Sequence, residues 1–166
     1  MSLSRAAAAS LIAIVAAAAT PAPRLVAADG VWAAFAAPGT CQAMSAALLP
    51  ARKGEPQARV TIAFDAKRNG RRGEVSLLLN RPARADSSVM LTIKDAPFLL
   101  VGRGDRAWSR GRAQEAAIIA AMRGGGGMRV EARDQRGGRI VDRYDLRGAA
   151  TAIDAAAACS VSLEKR

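Results

Sequence analysis

A chain of 166 residues is long enough for one domain with a core of its own. It carries 25 Lys and Arg against 14 Asp and Glu, a formal charge of +11, and it contains no His. The missing imidazole excludes Ser-His and Cys-His catalysis, histidine-ligated metal sites and a histidine pH switch.

Met1 to Ala28 reads as a secretory signal peptide. Arg5 supplies a positive n-region, and Ala6 to Ala19 is an uncharged apolar run centred on Leu11, Ile12, Ile14 and Val15. Val26-Ala27-Ala28 places small residues before Asp29, which would open the mature chain; a second cut is offered after Ala19. An uncleaved anchor is disfavoured, because the apolar run falls short of the roughly 20 residues a membrane span needs. The expected organisation is a leader over 1–28 and a single β-rich domain over 29–166, periplasmic or secreted, with no transmembrane span after cleavage.

Loss of Arg5 and Arg24 would lower the charge only to +9. Such a balance suggests acidic partners. The 21 Arg and 4 Lys are scattered among abundant Ala, a pattern that coding bias also produces. Only Arg68, Arg71 and Arg72 form a tight knot, and no aromatic residue interleaves to stack bases, so no nucleic acid is expected. Two cysteines, Cys41 and Cys159, in an exported chain most simply pair with each other. An intermolecular bridge is the competing arrangement.

Gly30 to Phe35 reads as an opening strand, with a turn at Pro38-Gly39. Cys41 to Leu49 follows as a strand with Met44 and Leu48 inward. Pro50 to Gln57 is a loop. Arg59 to Asp65 alternates with period two, placing Val60, Ile62 and Phe64 on one face. Asn69-Gly70 predicts a tight hairpin turn, since both positions tolerate positive φ. The return strand runs from Glu74 to Asn80, and Pro82 ends it. Val89, Leu91 and Ile93 make another alternating strand, turned by Asp95-Ala96-Pro97. Phe98 to Val101 closes at Gly102-Arg103-Gly104-Asp105, and Trp108 lies on a short strand. Gln114 to Arg123 predicts a helix, with Glu115 and Arg123 matching its dipole, an apolar stripe of Ile118, Ile119 and Met122, and Gly124 as left-handed cap.

Met128 to Asp134 and Arg139 to Leu146 form a second hairpin about Gly137-Gly138. Ile140, Asp142, Tyr144 and Leu146 share one face there. A carboxylate on an apolar face costs free energy unless it is paired, so Asp142 is expected to be a structural polar residue bonded to an Arg, a backbone N–H or Trp108. Ala149 to Ala158 is a short helix or turn, and Ser160 to Arg166 a frayed end. The expected fold is mainly β: an antiparallel sandwich or flattened barrel with one or two short helices.

Trp32, Cys41, Lys94-Asp95, Phe98, Ala107-Trp108, Ala121-Met122-Arg123, Gly127, Val130, Gly138, Asp142-Arg143-Tyr144-Asp145-Leu146, Gly148 and Cys159 recur in an order and spacing that resembles the invasion-associated locus B family of bacterial exported proteins. The pattern covers most of the mature chain and is densest from Phe98 to Cys159. It departs from that family at Ala149, where a larger apolar residue is usual, and in Leu77 to Pro82, which lacks an aromatic. The resemblance implies a mainly β periplasmic or surface-exposed protein, in a family named for host-cell entry whose members are mostly general envelope proteins.

Arg103-Gly104-Asp105 spells an integrin-recognition tripeptide, and a tight turn between strands accounts for the same residues. Trp108, Arg103 and Asp105 are candidate contact residues; Trp32 and Trp108 also suit a core. Gly124 to Gly127 sits at a helix C-terminus, where the dipole repels anions, and reads as a connector rather than a phosphate cradle. Carboxylates at Glu74, Asp86, Asp95, Asp105, Glu131, Asp134, Asp142 and Asp145 leave room for a hydrolase-like pair. No catalytic residue, metal ligand or cofactor is expected. The leading expectation is a non-enzymatic envelope protein acting through an unknown protein or envelope-surface partner. The alternatives are a small-ligand or acidic-polymer binding module and a carboxylate-based hydrolase.

Overall fold

A computed structural model of the chain describes residues 21–165. In chain order it holds β1 (Arg24–Asp29), β2 (Trp32–Ala37), β3 (Thr40–Ala46), β4 (Arg59–Asp65), β5 (Arg72–Leu78), β6 (Val89–Ile93), β7 (Ala96–Arg103), β8 (Arg106–Trp108), α1 (Arg112–Arg123), β9 (Gly127–Arg133), β10 (Arg139–Asp145) and α2 (Ala149–Glu164). The strands form one sheet in the order β1-β2-β3-β4-β5-β8-β7-β6-β9-β10, every pair antiparallel. The mainly β, antiparallel class with two helices is as expected. The sheet stays open, with β1 and β10 as its edges. It curls far enough for the Leu48 N–H, just beyond β3, to donate to the Arg143 carbonyl of β10 at 2.8 Å.

Register explains the core. Directly paired residues share a face, and the pairs Ala34↔Ala43, Ala43↔Ile62, Ile62↔Val75, Leu77↔Ala107, Leu91↔Val130 and Val130↔Asp142 run the inward face round most of the sheet. Those residues are buried in one cluster, apart from the polar Asp142, which lies buried beside it. α1 contributes Ile118 and Met122 to that cluster. α2 lays Ala149, Ala152, Ile153 and Ala156 against β1, β2 and β3, and these small side chains permit a close approach.

A disulfide joins α2 to the sheet. Cys41 on β3 and Cys159 on α2 are disulfide-bonded, with Cα atoms 6.0 Å apart. The bridge is intramolecular, across 118 residues.

Several local expectations are corrected. Cys41, Ala43 and Ser45 are the inward residues of β3, while Met44 is half-buried and Leu48 is 56% exposed. Pairing with β4 sets that phase, because Cys41 and Ala43 stand opposite Phe64 and Ile62. The β4–β5 connection is longer than a two-residue turn, running from Ala66 to Arg71. Arg71 clamps its neck through its backbone N–H and guanidinium to Asp65, and Asn69 and Gly70 keep negative φ. Lys94 and Asp95 form the β6–β7 turn, and Pro97 lies inside β7 opposite Thr92. Gly124 is right-handed, and Gly125 takes the positive φ of 70°. α2 continues to Glu164 instead of fraying at Ser160, which is 2% exposed. The expected leader lies outside the described residues as far as residue 20, and its last residues, from Arg24, form β1. Among the described residues no helix is long and apolar enough to cross a membrane.

Candidate functional site

The outer face of the β9–β10 hairpin concentrates charge. Alternation turns Arg129, Glu131 and Arg133 of β9 outward, and Arg139, Val141 and Arg143 of β10. The register sets Arg139 opposite Arg133 and Arg143 opposite Arg129, with Val141 opposite Glu131. Like charges directly across a ladder oppose sheet formation. One acid offsets them: Glu131 takes Arg139 at 2.9 Å on one carboxylate oxygen and Arg129 at 2.9 Å on the other. Those bonds, Arg139's first, hold its carboxyl below the ordinary range. Arg133 donates to the Gly137 carbonyl at 3.1 Å, and Arg143 makes no ion pair among the described residues. Arg143 lines a recess of about 300 Å³ with Lys94 and Arg129. On the other side, Arg133, Arg139 and Arg84 line a shallow one of about 390 Å³ with Ser87, Ser88, Glu131 and Asp86, the last ion-paired to Arg84.

A second feature sits behind this hairpin. Asp142 is 5% exposed on the inward face of β10, opposite Val130. Its partner is Asn80, which donates to Asp142 Oδ1 through Nδ2 at 3.1 Å and whose backbone N–H also favours the charged carboxylate. Trp108 lies elsewhere, on β8 between Ser76 and Val101. Asp142 Oδ2, Asn80 Oδ1 and the Tyr144 hydroxyl are buried with no protein partner. Burial pushes the Asp142 carboxyl above the ordinary range and Glu55 adds to the rise, while Asn80 and Arg81 oppose it. Burial likewise pushes the Tyr144 phenol up.

Asp142 and Asn80 line a pocket of about 200 Å³, walled by Leu49, Pro50, Ala51, Ala58 and Val141 and rimmed by Arg52, Glu55, Arg81 and Arg139. The 50–57 loop is pinned over it by Gln57, which accepts from the Ala51 N–H and donates to the Ala47 and Leu49 carbonyls. Arg81 is held aside, donating to Asp134 at 2.8 Å and to the Arg139 carbonyl at 2.7 Å.

Arg103 and Asp105 flank the tip of the β7–β8 hairpin. Gly104, with φ 61°, takes the first of two turn positions, where such a hairpin favours glycine. The Gly104 and Asp105 carbonyls accept from Ala83 and Leu79, so the turn is stitched to the chain after β5. Arg103 is exposed, Asp105 and Trp108 half-buried. The structure does not bring these three to Asp142 or to the arginine face. Sequence reading missed both the face and the Asn80 partnership. The face had a signal: the four arginines fall symmetrically about Arg136, at the centre of the β9–β10 turn. Asn80 had none, because its approach to Asp142 depends on how the sheet curls.

Among the described residues no cluster of three or more Asp, Glu or Cys side chains is placed to hold a metal ion. No family model matches the chain, and neither characterised proteins nor solved structures give a match.

Proposed function

We propose that this is a non-enzymatic exported protein that docks on an anionic envelope surface through the arginine face of β9 and β10. The observation that carries the reading is the register of like charges, Arg139 on Arg133 and Arg143 on Arg129, with Glu131 as the one acid between them. A sheet that sets arginines opposite each other gains from a polyanion what it loses in repulsion. Guanidinium groups suit this task, since each presents paired donors to a carboxylate or phosphate. Location outside the cytoplasm is supported by the disulfide, which persists in oxidising compartments. Membership of the invasion-associated locus B family stands on the ordered residues from Trp32 to Cys159 and is proposed with it.

Dextran sulfate is a suitable probe, with neutral dextran as control. Arg133→Gln with Arg143→Gln should weaken its binding about tenfold or more at low salt, and added salt should weaken the native protein's binding. Arg24→Gln with Arg68→Gln removes the same charge elsewhere and should change little. Equal losses in both double variants would show that scattered charge, and not this face, carries the binding.

The hydrolase alternative has one observation of its own, that Asp142 and Glu55 line the same pocket. Release of reducing ends from a soluble glycan by the native protein, abolished in Asp142→Asn, would establish it in place of binding.

A further inference from the structure

We infer that the pocket beneath the 50–57 loop is a binding site for a primary ammonium group on a short aliphatic stem. Two acceptors at the pocket, Asp142 Oδ2 and Asn80 Oδ1, are buried and have no protein partner. A buried acceptor left unmade costs free energy, and a carboxylate oxygen costs most. The Asn80 amide has already turned its Nδ2 toward Asp142 Oδ1, so what it leaves free is a carbonyl oxygen. The missing partner is therefore a donor. An ammonium brings three N–H groups and the charge that a buried carboxylate requires.

The surrounding charges agree. Arg81 is committed to Asp134, and Arg139 to Glu131. Arg52 and Glu55 at the rim oppose each other, and among the described residues no cation is bonded to Asp142 at the floor. Leu49, Pro50, Ala58 and Val141 offer apolar surface to methylene groups among otherwise polar walls. A volume of about 200 Å³ admits such a head and stem and excludes a bulky ligand. The pocket borders the arginine face at Arg139 and Val141, but its two acceptors lie behind the hairpin, so propylammonium binding is read independently of the docking reading.

The test is a titration of the isotope-labelled whole protein with propylammonium chloride, followed by amide resonances. Propanol, its neutral isostere, and potassium chloride at matched ionic strength are the controls. Saturable shifts at Asn80, Val141 and the 50–57 loop are expected with propylammonium alone. Asp142→Asn should raise the dissociation constant about tenfold or more by removing a charge-assisted bond. Glu55→Gln, at the rim, should raise it about threefold, and it decides the matter if Asp142→Asn does not fold. The inference is overturned if propanol gives the same shifts, if neither compound gives saturable shifts because a water already occupies the floor, or if the variants bind as the native protein does.

Discussion

Trp32 and Asp145, 113 residues apart, are joined by a 2.8 Å hydrogen bond from the indole Nε1 to the backbone carbonyl. The bond ties β2, near one edge of the open sheet, to the end of β10 at the other. Trp32 is 1% exposed, so its N–H has no recourse to water. Trp32→Phe keeps most of the apolar volume and strands the Asp145 carbonyl. A loss of about 1–3 kcal/mol is expected, read as a lower urea midpoint with an unchanged slope. An unchanged midpoint would mean the edges are held together without this bond.

The sequence showed elements wherever local chemistry decides them. Val60, Ile62 and Phe64 declare β4 because one face meets the core, and α1 is declared by Ile118 and Met122 at helical spacing. β3 misled because Met44, and Leu48 just beyond the strand, are larger apolar residues than Cys41 or Ala43. The partner strand's phase overrode size, and it buried Cys41, Ala43 and Ser45 instead. α2 misled for a similar reason: an alanine run has no marked apolar face, and only the β1–β3 surface beneath it selects one. Asp142 was visible as an anomaly from alternation alone, whereas its pocket needs Asn80 and the 50–57 loop, both distant in sequence, to come to it.

Asp142 has a pH signature. Burial raises its folded pKa above the unfolded value, so between the two the native state holds the proton more tightly. Its contribution is therefore greatest at low pH and falls as pH rises through that window. Asp65, Glu131, Asp134, Asp145 and Asp154 shift the opposite way and lose their stabilisation on acidification, so the whole-protein profile conceals the effect. Comparison with Asp142→Asn isolates it. The variant keeps an acceptor for Asn80 and should match the native protein near pH 4. By pH 8 it should be more stable, by on the order of 1 kcal/mol. A difference that does not vary with pH would show that Asp142 is not desolvated in solution.

The Cys41–Cys159 bridge closes a loop of 118 residues. Chain entropy for so long a loop gives about 5 kcal/mol, an upper figure for a native disulfide. Cys41→Ser with Cys159→Ser should lower the melting temperature by more than any single core truncation in β4. The oxidised native protein should run as a monomer on non-reducing electrophoresis and yield one cross-linked peptide. A double variant as stable as the native protein would assign the docking of α2 to its alanine face alone.

The N-terminal boundary follows from how closely β1 is packed. Asp29 accepts a 2.7 Å hydrogen bond from Thr151 on α2. At the same corner, Gly148 lies so near the Asp29 carbonyl that a Cβ there would come within 1.9 Å, and its φ of 87° favours glycine as well. β1 is paired with β2 from Arg24 to Asp29, and Val26 and Ala27 pack on the core. Cleavage after Ala28 would discard this strand and leave β2 as an exposed edge. Cleavage after Ala19, the other junction of small residues, would keep it. If the chain is exported as proposed, the processed form should begin before Arg24, which its intact mass reads directly. A version starting at Asp29 should be less stable by roughly 2 kcal/mol, from lost apolar burial and ladder bonds. An exported form that begins at Asp29 and melts with the longer one would make β1 part of the leader and not of the fold.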